Sequence, residues 1–238
     1  MISLTDTQAI IHTILQLFAF VFSITLAGTL QAQVSKFMGD DTAVQMGFGD
    51  FNPFIHIQFI DIVFFALLEI MLGRPIPVDG KAIPHRKKIG RFIAIFSTRV
   101  ITHVVLAVIS LFAFVFFSTW GATNAPGVSQ VLQDPRILIG LATTSQSGSH
   151  AFIYLLGIFS IIMFGINALL GGFCLIRDTV YGYVSYKYAQ DARFIEYANP
   201  IMVFGVLLLL IMFGGAILGG INSAIYFIAR QLSWLLGR

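Results

Sequence analysis

Four ionisable residues stand inside apolar runs, where a charge is costly unless it is paired or wetted: Asp61 and Glu69 in FIDIVFFALLEIML, and Arg99 and His103 in FSTRVITHVVLAV. Arg99 and His103 are four residues apart and share a helix face. If the two runs form an antiparallel hairpin, a rise of about 1.5 Å per residue brings Glu69 towards the level of Arg99 and Asp61 to that of His103. Two chemistries fit such stacked polar rungs. One is a proton or ion path; the other, which we expect, is internal ion pairing that sets helix register or meets a partner subunit. The remaining histidines form no constellation: His12, His85 and His150 are scattered. His56, in FIHIQ, has no second ligand at i+3 or i+4 and is expected to hydrogen-bond the preceding connector rather than hold zinc. The single Cys174 excludes a disulfide framework and a cysteine-based zinc site, and is expected to pack.

The elements that must position these residues are membrane spans. The chain is 57% hydrophobic and 11% charged, against roughly 25% charged in soluble domains, and its mean hydropathy is +0.88. A bilayer span takes about 20 apolar residues, and the 238 residues divide into a single transmembrane domain with five such runs, at about 9–32, 54–72, 92–117, 151–176 and 201–228. The expected fold is an all-α polytopic bundle. Its partners are then membrane lipids and other transmembrane subunits; the net charge of +3 does not argue for nucleic acid.

The connector 33–53 carries Gly39, Gly47 and Gly49 and is expected to form a short hairpin or re-entrant piece. In loop 73–91 the prolines at 75, 77 and 84 oppose helix, and Arg74, Lys81, Arg86, Lys87, Lys88 and Arg91 crowd together. Loops 73–91 and 177–199 hold most of the basic residues and are expected to be cytoplasmic, with Arg230 and Arg238 running against that orientation. Loop 118–150, on the other side, is long enough to be a contact surface. Met1–Gln8 carries no Lys or Arg, so the first run is expected to stay in the mature protein. In the last run Gly215 and Gly219 make a GxxxG pattern suited to helix packing. Trp120, Trp234 and the tyrosines from Tyr181 to Tyr188 suit an interfacial belt.

Several segments together carry a resemblance. The connector and second run read FMGDDTAVQMGFGDFNPFIHIQFID, followed by GRPIPVDGKAIPHRKK. Gly39, Asp40, Thr42, Ala43, Gly47, Asn52, Pro53, His56 and Ile57, then Pro75, Pro77 and Val78, match the compact bacterial branch of the site-2 protease family, whose members read LGDPTA…LGRLTLNPLxHID and KPVPVNP. INALLGGFCL (166–175) resembles that family's INLxLALFNL, with Asn167 retained and Cys174 at the second Asn, and DARFIEYANPIMVFGVLLLL resembles its final helix.

This resemblance implies a membrane-embedded zinc protease core, with HExxH on the first helix twelve residues before Gly39. At that place stands Ala27-Gly28-Thr29-Leu30-Gln31. Alanine has no donor atom, glutamine is a poor zinc ligand and glycine cannot move a proton, so the ligands and the general base are all missing. The family's third ligand, an Asp, would correspond to Asp178 only with about four residues deleted. FST (96–98) stands about where the family's AGP-xx-N signature would be. The expectation is a pseudoprotease of the bacterial inner membrane, without metal or cofactor, that acts as a structural, accessory or assembly subunit of a larger complex. The alternatives are a divergent active intramembrane metalloprotease and an ion- or proton-conducting subunit.

Overall fold

Helix follows hydropathy where the apolar runs are unbroken. The computed structural model describes residues 7–84, 88–120, 136–145, 147–187 and 223, and every regular element among them is helical. The long helices are α1 (Thr7–Phe37), α5 (Lys88–Trp120) and α7 (Gly148–Lys187), of 31, 33 and 40 residues. Each is long and apolar enough to cross a bilayer, which makes the chain an integral membrane protein. The short ones are α2 (Thr42–Gln45), α3 (Pro53–His56), α4 (Phe59–Leu68) and α6 (Arg136–Thr144).

The run expected to span the membrane at 54–72 does not do so as one helix. Asn52 caps α3, its Oδ1 accepting from the Phe54 amide at 3.1 Å, and Pro53 takes the first turn, where a missing N–H costs nothing. After one turn the chain becomes extended through Ile57 and Gln58. Gln58 and Asp61 then close a capping box that starts α4. Glu69 ends α4 in the left-handed region (φ 58°), and no regular structure follows through Asp79. Ten residues of α4 rise about 15 Å, half of an apolar bilayer core of about 30 Å.

Three further boundaries move. The fourth run continues as helix past Ile176 to Lys187, so the start of the expected loop 177–199 is helical. Loop 118–150 contains α6 and the first turn of α7. The connector 33–53 opens with the end of α1 and contains α2, not a hairpin. The expected span 201–228, with Gly215 and Gly219, lies outside the described residues except for Ser223, as do His85, Tyr188 and Trp234.

The chain divides into two compact units. Of the described residues, one takes 7–19, 106–120, 136–145 and 147–166; there Phe114, Leu138, Ile139 and Ile158 are buried, and Phe18 and Phe159 meet with ring centroids 5.9 Å apart. The other takes 20–84, 88–105 and 167–187 and holds every candidate site residue described below. Within it Ala32, Ala43, Phe48 and Ile76 form one apolar cluster; Val78, Ile83, Phe92, Ile95, Phe96 and Tyr181 form a second. Leu72, Phe173 and Cys174 form a third.

Candidate functional site

Buried irregular backbone must find its hydrogen bonds inside the protein. Met71, Leu72, Gly73 and Ile76 are buried although they lack regular structure. Charged side chains resolve this. Asp61 Oδ1 accepts the amides of Leu72 and Gly73, both at 3.0 Å, while its Oδ2 accepts the Gln58 amide at 2.8 Å. Arg177 Nη1 lies 3.3 Å from the Leu72 carbonyl and 3.4 Å from that of Gly73. The Arg74 amide donates to the His56 carbonyl at 2.7 Å, and the Arg74 carbonyl accepts from Arg99 Nη1 at 3.1 Å. Each backbone donor and acceptor from Leu72 to Arg74 is thereby satisfied, from α3, α4, α5 and α7.

Gly73 is required there. Its φ is +72°, and a Cβ would stand 2.5 Å from Ile24 Cγ2.

Arg177 is held through all three of its guanidinium nitrogens. Besides the two carbonyls, its Nε donates to Asp178 Oδ1 at 2.7 Å, its Nη2 reaches Cys174 Sγ at 3.6 Å, and its guanidinium lies 5.0 Å from the Phe173 ring centre. Arg99 counts Arg177, Asp178 and Asp61 among its charged neighbours. Two carboxylates thus face two guanidinium groups, a balance that buried charges need.

A second set of bonds ties three spanning helices together. His103 Nδ1 on α5 and Asn167 Oδ1 on α7 lie 2.9 Å apart, and Asn167 Nδ2 donates to Ser23 Oγ on α1 at 2.9 Å. All three residues are buried. The carbonyl oxygen of Asn167 requires the proton of His103 on Nδ1.

The stacked rungs predicted from sequence are therefore distributed differently. Asp61 serves backbone amides, Arg99 a backbone carbonyl and His103 the side chain of Asn167, while Glu69 terminates α4.

On α1, Ala27, Gly28 and Gln31 lie on the buried stripe. The ring of His56 rests directly on Gly28: a Cβ at that position would collide with His56 Nδ1 and stand 2.8 Å from Cε1. Nε2 of the same ring lies 3.1 Å from Thr29 Oγ1 and 3.4 Å from the Asp50 carbonyl, and Thr29 itself donates to that carbonyl. Nε2 is then the protonated nitrogen, and the bare Nδ1 faces Gly28 without a partner. Burial pushes the His56 pKa below the ordinary histidine value, with the bond to Asp50 opposing. His56 thus does bond the connector, as its sequence position suggests. Phe48 packs edge-on against it at 5.6 Å, and Arg74 sits over Phe48 at 5.2 Å.

The connector is pinned by Asp40, fully buried, which accepts from the Ser35 hydroxyl, the Thr42 amide and, across 39 residues, the Asp79 amide at 2.8 Å.

Gly28→Ala is expected to displace His56 and lower stability by about 1–3 kcal/mol, the range for overpacking. Unfolding of purified protein in mixed micelles measures it; an unchanged midpoint would remove His56 from this contact.

These residues do not fit zinc. Ala27 offers no donor, the space beside Gly28 is filled by imidazole, Asp178 is held by Arg177, and among the described residues no three His, Cys, Asp or Glu side chains gather to hold a metal ion.

Sequence reading passed over Arg177. The signal was present as an Arg–Asp pair directly after the apolar FCLI, but ending the span at Ile176 placed it in a loop. Comparison with family models, curated proteins and solved structures finds no match to this chain.

Proposed function

We propose that this chain is a catalytically inactive, site-2-protease-like protein of a bacterial inner membrane, serving as a structural, accessory or assembly subunit of a larger membrane protein complex. The observation that carries the reading is that Ala27, Gly28 and Gln31 stand where the resemblance places the two ligands and the general base, while Asp178, the candidate third ligand, is bound by Arg177. The buried charges favour a structural role over conduction: Asp61, Arg99 and Arg177 are engaged by fixed backbone groups, whereas a conducting path needs groups that exchange partners.

Extraction of the full chain in mild detergent, followed by native sizing and mass spectrometry, tests the subunit role. The expected result is a stoichiometric assembly with other membrane proteins; a lone monomer counts against it. Metal analysis of the same sample tests inactivity, and stoichiometric zinc together with chelator-sensitive peptide cleavage would overturn it.

A further inference from the structure

Through residues 38–84 the chain runs up beside α1 and comes back to the end it left. On the way in, the Gly49 carbonyl accepts from Gln33 at 2.8 Å, the Asp50 carbonyl accepts from Thr29 at 3.1 Å, and the rings of Phe51 and Phe22 lie 6.0 Å apart. Phe65, on α4, reaches Phe20, with ring centres 6.1 Å apart. At a rise of about 1.5 Å per residue, Phe20 stands about 25 Å along α1 from Phe37. On the way back Gly73 lies against Ile24, Ile76 packs with Ala32, and Val78 belongs to the cluster that Val34 and Met38 join. The return closes at the end of α1: the Asp79 amide donates to Asp40 at 2.8 Å, Arg91 Nη1 donates to the Met38 carbonyl at 2.6 Å, and Pro84 lies against Gly39.

A simple alternation of spans would hold connector 33–53 and loop 73–91 on opposite sides of an apolar layer of about 30 Å. The hydrogen bond between Asp40 and Asp79 forbids that. The end of α7 belongs with them, since Tyr186 meets Phe92 edge-on at 5.7 Å. α5 leaves this end as a helix long enough to cross a bilayer, and α1 arrives at it as another, so the far end of α5 and the start of α1 lie on the other side. Lys36 then joins the basic residues of loop 73–91 on one face, whereas residues 1–8 and 118–150 hold Arg136 as their only Lys or Arg. That imbalance marks the first face as cytoplasmic.

We propose that residues 38–84 are re-entrant: they enter and leave the bilayer on its cytoplasmic face without crossing it, and α1 begins on the opposite side. Connector 33–53, loop 73–91 and the end of α7 thereby form one cytoplasmic surface, on which Asp41, Gln45 and Lys81 are exposed to a partner from that compartment. The irregular stretch through Leu72–Arg74 suits such a piece, because lipid tolerates non-helical backbone only where protein satisfies it. The placement does not depend on the protease-like reading.

The test uses the full chain in right-side-out and inside-out membrane vesicles with a charged, impermeant maleimide. Cys174 is buried and stays in place, and single cysteines are added at exposed positions as Thr7→Cys, Gln45→Cys, Lys81→Cys and Ser149→Cys. Gln45→Cys and Lys81→Cys should both label at least about 10-fold more in inside-out vesicles, and Thr7→Cys and Ser149→Cys the reverse, because the apolar layer excludes the charged reagent. Leu67→Cys, 74% exposed on α4, should resist this reagent from both sides and react with a lipid-soluble maleimide. Labelling of Gln45→Cys and Lys81→Cys from opposite sides would show a crossing and overturn re-entrance, as would Thr7→Cys labelling from the side of Gln45→Cys. Leu67→Cys reacting with the charged reagent would take α4 out of the bilayer. Both loop positions labelling in right-side-out vesicles would overturn the cytoplasmic assignment.

Discussion

Asp61→Ala is expected to leave little folded protein in the membrane. The substitution strands the buried amides of Leu72 and Gly73, each worth about 1–3 kcal/mol when orphaned, and removes the partner of the half-buried Gln58 amide. It also removes one of the two carboxylates that balance Arg99 and Arg177. A loss of at least about 4 kcal/mol is expected, against a total stability of about 5–15 kcal/mol for a typical domain. Asp61→Asn separates the two causes. Its oxygen can still receive Leu72 and Gly73 while its NH2 confronts the Gln58 amide, so a milder loss of about 1–3 kcal/mol is expected. Unfolding titrations in mixed micelles, with folded yield read by size exclusion, give both values. Equal damage from Asn and Ala would mean that charge balance, rather than the backbone of residues 72–73, is what Asp61 provides.

Arg177→Met is expected to be nearly as severe, about 3–5 kcal/mol, the cost of removing one partner of a buried pair. It leaves the carbonyls of Leu72 and Gly73 and the carboxylate of Asp178 without their donor. The double variant Arg177→Met/Asp178→Leu removes the stranded charge and should recover part of the loss, with a coupling of about 1–3 kcal/mol in the double-mutant cycle. Arg177→Lys should not rescue. A single ammonium cannot reach two carbonyls, a carboxylate and a thiol as the fork of the guanidinium does. Additive single and double variants would dissolve the pairing.

Both expectations concern the irregular residues 72–74, and these show where sequence reading stops. The apolar lengths of α1, α5 and α7 were legible, because hydropathy and the length of a helix that crosses a bilayer are local properties. The start of α3 was legible as well, in Asn52-Pro53. The break at Ile57–Gln58 and the end at Leu68 were not. Residues 54–72 are as apolar as a span, and what holds Leu72, Gly73 and Arg74 out of helix is a set of partners at Asp61, Arg99 and Arg177. Two of those lie far along the chain.

By itself the sequence determined that this is a helical membrane protein, that Asp61, Glu69, Arg99 and His103 carry polarity into apolar runs, and that Ala27, Gly28 and Gln31 offer no catalytic group. Only the tertiary structure decided what the buried charges do. A carboxylate in an apolar run can meet a cation, a proton path or a backbone amide, and the choice is made by which segment fails to be helical beside it. Here that segment is Leu72–Arg74. The same holds for His56, whose ring settles on Gly28 because two elements 28 residues apart pack together, a closeness that no local pattern of residues encodes.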